Sequence, residues 1–233
     1  MEEHTVIQSE VGIDIRRPSL SPTSTALVIV DMIRGYVEPD LRIGQAARDR
    51  GQFNDYYYER MNGTTLPAVI DLLGVFRRLE LPVIHVRIRG DDPAAGDWPA
   101  AHRQHLVARK VLPAHPGIPE YEWASGVEPV PGEHVVEKRS ISAFTTTGIA
   151  QILAARAVTH VVMAGCVTNY GVGHTAIDAV DHGFHVSIAE PATAGLSPAS
   201  HEAWLESASH LYVRVCTLDA VLHELDANEA TRP

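Results

Sequence analysis

Between Ala26 and Asp31 the chain reads ALVIVD, five apolar residues in a row followed at once by a carboxylate. A strand that is apolar and β-branched without alternation is buried on both faces, the condition of a central strand in a parallel sheet. Comparable runs recur at VIHVRI (Val83–Ile88), HVVEK (His134–Lys138), HVVMAG (His160–Gly165), FHVSIAE (Phe184–Glu190) and YVRVC (Tyr212–Cys216). Helical patterns separate most of them. Thr64–Glu80 places Leu66, Val69, Ile70, Leu73, Phe76 and Leu79 at helical spacing, with Thr64 or Thr65 as the cap. Further helices are predicted near Ala100–Ala108, at Gly148–Ala157, over VGHTAIDAVDHG (Val172–Gly183) with Gly183 as stop signal, at Ser200–His210, and from Leu218 onward. Repeated β-α-β units joined by right-handed crossovers give an α/β fold: a doubly wound, mostly parallel sheet with helices on both faces.

At 233 residues the chain is expected to form one domain, 1–233, with an N-terminal extension over 1–24. A charged, aromatic loop is expected from about Met32 to Gly63. The proline-rich stretch Arg89–Gly132 reads as a long excursion with one short helix. A net charge of −10 argues against a nucleic-acid partner, which would need clustered Lys and Arg. The first residues, MEEHTVIQSEVGIDIRRPSL, lack the apolar segment of a signal peptide, and no run approaches a membrane span. Cys166 and Cys216 both lie in or beside apolar strand patterns, as buried free thiols do in a reducing compartment. A cytoplasmic protein acting on a small molecule is the expectation.

Such a fold says where chemistry sits: in the crevice beyond the carboxyl ends of the strands. Three positions fall there. Asp31 ends the first strand, as a turn cap or as a partly desolvated acid. Lys138 ends the third, as a snorkelling cation or as the partner of that acid. A lysine beside a buried carboxylate holds it ionised, and the pair can shuttle a proton. Gly171 opens the helix after the fourth strand, where unpaired N–H groups bind developing negative charge but no side chain exists to attack.

The segments ALVIVDM, EKRSISAF and AGCVTNYGVGHTAIDA, with EPATAG at Glu190–Gly195, resemble in order and spacing the isochorismatase-like hydrolases, also called the cysteine hydrolase superfamily. Nicotinamidases and N-carbamoylsarcosine, ureidoacrylate and biuret hydrolases belong to it. The resemblance covers nearly all of 26–219 and implies a Rossmann-like sheet, a homo-oligomer and an Asp–Lys–Cys triad. Asp31 matches the aspartate and Lys138 the lysine. The family turn G-x-x-T-[DN]-x-C-V falls on Gly165–Val172, which puts Gly171 where the nucleophilic cysteine is expected. Cys166 is five residues too early and reads as structural. The resemblance also implies a cis peptide at Cys166–Val167, with the N–H groups of Val167 and Gly171 as an oxyanion-type pair.

True isochorismatases resemble this pattern with glycine at the same position. They protonate a vinyl ether and need an acid, for which Asp31 would require a raised pKa. The Thr168–Asn169 pair is more like the amide-cleaving members. Three readings therefore stand: thiol-independent vinyl-ether hydrolysis of a small anionic metabolite, a C–N hydrolase whose nucleophile has been lost or replaced, and a member that only binds. Tyr36, Arg87, Arg139, Asn169 and Tyr170 are the expected substrate contacts, the two arginines suiting carboxylates. No cofactor or metal is expected: Met32–Gly63 holds no histidine, and His102, His105 and His115 read as solvated loop residues. The Tyr56–Tyr58 run reads as a cover for the pocket mouth or, in preference, as a subunit interface.

Overall fold

The computed structural model describes residues 18–92, 96–109 and 115–229. Six strands are β1 (Thr25–Val30), β2 (Val83–Ile88), β3 (His134–Lys138), β4 (His160–Cys166), β5 (His185–Ala194) and β6 (Val213–Cys216). The helices are α1 (Arg34–Val37), α2 (Arg42–Asp49), α3 (Asp55–Arg60), α4 (Leu66–Arg78), α5 (Ala100–Arg109), α6 (Ala143–Thr146), α7 (Ile149–Ala155), α8 (Gly173–Asp181), α9 (Pro198–Leu211) and α10 (Leu218–Glu229). The strands form one sheet in the order β3-β2-β1-β4-β5-β6, and every pairing is parallel.

All six residues of β1 are buried, and the strand's two sets of side chains enter two separate cores. Leu27 and Ile29 pack with α3, α4 and α10 on one face. Ala26, Val28 and Val30 pack with α6, α7, α8 and α9 on the other. That two-sided burial is what the unbroken apolar run of β1 encodes. The strand order reverses between β1 and β4, so the crevice of this sheet opens where Asp31 leaves β1 and the turn after β4 begins.

Several expectations are corrected. The segment 32–63 is largely helical, carrying α1, α2 and α3. Neither α1 nor α2 has a side-chain cap bond, so neither announces its start. Helix α3 does: Asn54 accepts from the Tyr57 N–H at 3.0 Å. From there the chain passes through a π turn, Met61–Thr65, straight into α4, so Thr65 caps nothing and its hydroxyl donates to the Thr193 carbonyl at 3.1 Å. Tyr57 and Tyr58 are buried in this chain's own core, not offered to a second copy. Strand β5 runs on past Pro191, because a register shift opposite Met163–Gly165 takes up the residue that has no N–H to give. Helix α9 begins earlier than expected, capped by Ser197, with Pro198 in its first turn. His102 lies on α5, as does the backbone of His105, while His115 is in an exposed loop.

Residues 122–124 of the excursion dock against the exit of β1. Arg34 N–H donates to the Glu122 carbonyl at 2.8 Å, Ala124 N–H to Met32 at 3.0 Å, and Ile33 bridges Trp123. Glu137 of β3 anchors it, accepting from Tyr121, Arg87 and Arg89. Burial alone would raise the Glu137 pKa, but those donors outweigh it and hold it down at about 2. A depressed carboxyl stabilises the fold above its unfolded value and loses that contribution as pH falls toward the folded one. Acid unfolding is therefore expected to steepen between about pH 4.5 and 2. Glu137→Gln should remove about 1–2 kcal/mol of that pH-dependent stability, after allowance for solvent screening. Urea midpoints at pH 6 and pH 3 measure it; equal slopes for both proteins contradict it.

Candidate active site

The turn after β4 is built by close packing. Gly165 sits at φ +112°, and a Cβ there would meet the Val30 carbonyl oxygen at 2.1 Å, so only glycine lets β4 lie this near β1. The peptide Cys166–Val167 is cis. A π turn, Thr168–Val172, follows and leads into α8. The Val167 carbonyl accepts from Tyr170 at 2.9 Å and Val172 at 3.3 Å, and the Gly171 carbonyl accepts the Thr175 hydroxyl at 2.6 Å.

Asp31, Lys138 and Gly171 come together beside this turn. Lys138 Nζ lies 2.7 Å from Asp31 Oδ2, and both side chains are almost wholly buried. The ammonium also reaches the Ser140 carbonyl at 3.3 Å. Asp31 stands at φ +55°, an unusual backbone for a residue with a Cβ, held by its N–H on the Val86 carbonyl at 2.7 Å. Its second oxygen, Oδ1, is buried with no protein partner. Burial raises the Asp31 pKa, and the adjacent Lys138 charge opposes that rise without cancelling it. A Cβ on Gly171 would lie 3.0 Å from Asp31 Oδ2 and 3.0 Å from the Cys166 carbonyl. Any side chain at 171 therefore starts in contact with the carboxylate.

Cys166 is not placed to attack anything. Its thiol is buried, donates to the Asp31 carbonyl at 3.3 Å, and is pushed up to about 12 by burial and by the Asp31 charge. Cys216 is likewise a buried free thiol.

The remaining expected contacts are spread out. Asn169 is in the turn, with Oδ1 buried and unbonded, and Tyr170 beside it is about half exposed at 48%. Tyr36 packs half-buried on the core that holds Tyr57. Arg87 spends its guanidinium on Glu137 at 2.8 Å and lies 3.6 Å over the Tyr121 ring. Arg139 is paired with Asp91 and, at 3.0 Å, with Asp97. Both guanidinium groups are thus engaged by carboxylates other than Asp31. Among the described residues no group of three or more His, Cys, Asp or Glu side chains is arranged to hold a metal ion, and no helix is long and apolar enough to cross a membrane.

Sequence reasoning missed a second polar group at this turn: the buried Thr168 and His201, with the partly exposed Glu190. The Thr168 hydroxyl lies 2.8 Å from His201 Nδ1, and His201 Nε2 lies 2.9 Å from Glu190 Oε1. The signal available was a histidine on the inward face of a helical pattern, one turn after a Ser-Pro start.

Removing the ammonium isolates its role. Lys138→Met leaves Asp31 buried without a counter-charge, and is expected to cost about 3 kcal/mol of stability. The carboxyl should then stay protonated to higher pH than in the parent protein. Denaturant unfolding with a proton-uptake measurement reads both. Unchanged stability and unchanged titration would show that the pair is not coupled.

An isochorismatase domain model matches residues 25–220, most of the chain. Among curated relatives, the maleamate amidohydrolase of Pseudomonas putida is 27% identical over 200 residues, covering 86% of each chain. A probable inactive nicotinamidase of Arabidopsis thaliana is 26% identical, covering 87% of this chain and 96% of its own. Among solved structures, a cysteine hydrolase from Pseudomonas syringae pv. phaseolicola superposes with a TM-score of 0.78 at 20% identity, covering 93% of this chain and 99% of that one. The chain belongs to the isochorismatase family of hydrolases.

Proposed function

We propose that this protein hydrolyses a small, anionic metabolite without a covalent enzyme intermediate. Asp31 is the proton donor, and Gly171 stands where thiol-dependent relatives carry their nucleophile. One observation carries the reading: a buried carboxyl, raised by desolvation and braced by Lys138, faces a position that has no side chain. The thiol closest in sequence, Cys166, is buried and bonded to a main-chain carbonyl.

A bond that breaks on carbon protonation suits such a site best. In a vinyl ether of the isochorismate type, Asp31 delivers its proton to the enol-ether carbon. Water then attacks the oxocarbenium-like species, and the hemiketal collapses to pyruvate and an alcohol. Lys138 holds Asp31 in place and takes up the negative charge left on it. The N–H groups of Val167 and Gly171 are assigned to a carboxylate of the anionic substrate, and in the C–N alternative to the oxyanion of the tetrahedral intermediate.

A second reading has specific support. The Pseudomonas putida relative is a maleamate amidohydrolase, and the Thr168–Asn169 pair resembles the turn of the amide-cleaving members. In that case Asp31 serves as base toward water, and the product is ammonia. Incubation of the purified protein with isochorismate, maleamate and ureidoacrylate, following pyruvate and ammonia, separates the two. Pyruvate release supports the ether reading, and ammonia release replaces it with C–N hydrolysis. Neither product, with binding retained, would align the chain with the probable inactive nicotinamidase of Arabidopsis thaliana.

A further inference from the structure

Helix α9 reaches back to the catalytic turn through one buried histidine. His201 is 2% exposed, and its two ring nitrogens join two parts of the molecule. On one side Nδ1 lies 2.8 Å from the hydroxyl of Thr168, the residue that opens the turn carrying Gly171 and is itself fully buried. On the other side Nε2 lies 2.9 Å from Glu190 Oε1. Arg60 Nη2 donates to the same carboxylate oxygen at 2.6 Å, while its Nε donates to the Thr193 carbonyl at 3.0 Å. Residues of α3, β5 and α9 thus converge on one side chain of the turn.

Arg60 Nη2, which can only donate, also lies 2.9 Å from His201 Nε2. The His201 bond and the Arg60 charge keep Glu190 below its ordinary value, so it only accepts. The bond between Nδ1 and the Thr168 hydroxyl forms in either ring tautomer, because a hydroxyl both donates and accepts. The threonine hydroxyl is thereby committed inward, away from any substrate. The neighbourhood admits little slack. A Cβ on Gly195 would meet His201 Cβ at 2.6 Å, and one on Gly173 would meet the Thr168 carbonyl oxygen and Trp204 at 2.7 Å.

We infer that His201 is a positioning residue: through its Nδ1 bond to Thr168 it fixes the turn Thr168–Val172, and so sets where the Gly171 backbone stands relative to Asp31. The inference rests on the site assigned above, whichever bond is cleaved there. It differs from a simple packing role in one respect. Only the nitrogen facing Thr168 should matter for turnover.

Two amide variants separate the nitrogens, because the Asn amide falls near Nδ1 of a histidine and the Gln amide near Nε2. His201→Asn keeps a partner for Thr168, whereas His201→Gln keeps one for Glu190. The expected result is that His201→Asn retains kcat within about threefold, while His201→Gln and Thr168→Val each lose roughly 30-fold with little change in KM. The double variant His201→Gln with Thr168→Val should lose no more than either alone, since both break one contact. Equal losses in the two amide variants, or full activity in Thr168→Val, would overturn the assignment.

Amide hydrogen exchange keeps the test independent of the reaction. The amides of Gly171 and Val172 should exchange faster in His201→Gln and Thr168→Val than in the parent protein or His201→Asn, whether or not any substrate turns over. Protection that does not follow Thr168 overturns the positioning role. Normal protection changes with no turnover of any substrate overturn only the catalytic reading.

Discussion

Asp31→Asn is expected to leave the fold standing and to remove at least about three orders of magnitude from kcat/KM. The amide is nearly isosteric with the carboxyl, and its oxygen can still accept from Lys138, 2.7 Å away in the parent protein. It has no proton to deliver. The pH profile makes the prediction sharper. Burial raises the Asp31 pKa despite Lys138, so the acid form persists above the ordinary aspartate range. If that form is the catalyst, kcat/KM is highest below the raised pKa and falls as pH rises through it. A base role in C–N hydrolysis reverses the sign, with the rate climbing through the same pKa. The stability linkage has one direction in either case. A folded-state carboxyl raised above its unfolded value favours the folded state at low pH, and that advantage is lost as pH rises through the folded pKa. Asp31→Asn should flatten this dependence. A variant with parental activity would remove Asp31 from the chemistry altogether.

Why was this site so readable from sequence, and its surroundings less so? Asp31, Lys138 and Gly171 each end or follow an apolar run, and strand ends in a parallel sheet converge by geometry. Identifying the runs β1, β3 and β4 was enough to bring the three together. Strands β2 and β3 were legible to the residue because both are short, apolar and bounded by polar turns. The helices in 32–63 were not. Two of them lack caps, and α3 continues through a π turn whose Asn62, Gly63 and Thr64 look like a loop. The aromatic run Tyr56–Tyr58 shows the same limit: its hydrophobicity was plain, but which surface would cover it depended on α3 folding back on the sheet. Long-range polar pairing was invisible. Nothing local marks Arg87 as bound to Glu137, or His201 as bound to Thr168, across 50 and 33 residues of chain.

Gly171 offers the second large effect, through a change of one methyl group. The backbone there is outside the left-handed region and within helical geometry, so alanine is allowed by φ and gains about 1 kcal/mol of helix propensity. Against that, its Cβ would sit 3.0 Å from both Asp31 Oδ2 and the Cys166 carbonyl, and 3.2 Å from Val30 Cγ1. Overpacking of this kind costs about 1–3 kcal/mol. The two terms nearly offset, and the unfolding free energy of Gly171→Ala should move by no more than about 2 kcal/mol. Activity should not survive so well. The methyl group occupies the space through which Asp31 must meet its substrate, and a loss of about 100-fold or more is expected. Gly171→Cys makes the companion measurement, because it places a thiol beside Asp31. Under direct water attack it is as poor as alanine and shows no burst of product. A gain of ammonia release from maleamate, with a burst equal to the enzyme concentration, would mean that the turn still holds the geometry of a covalent amidase and that the ether reading is wrong.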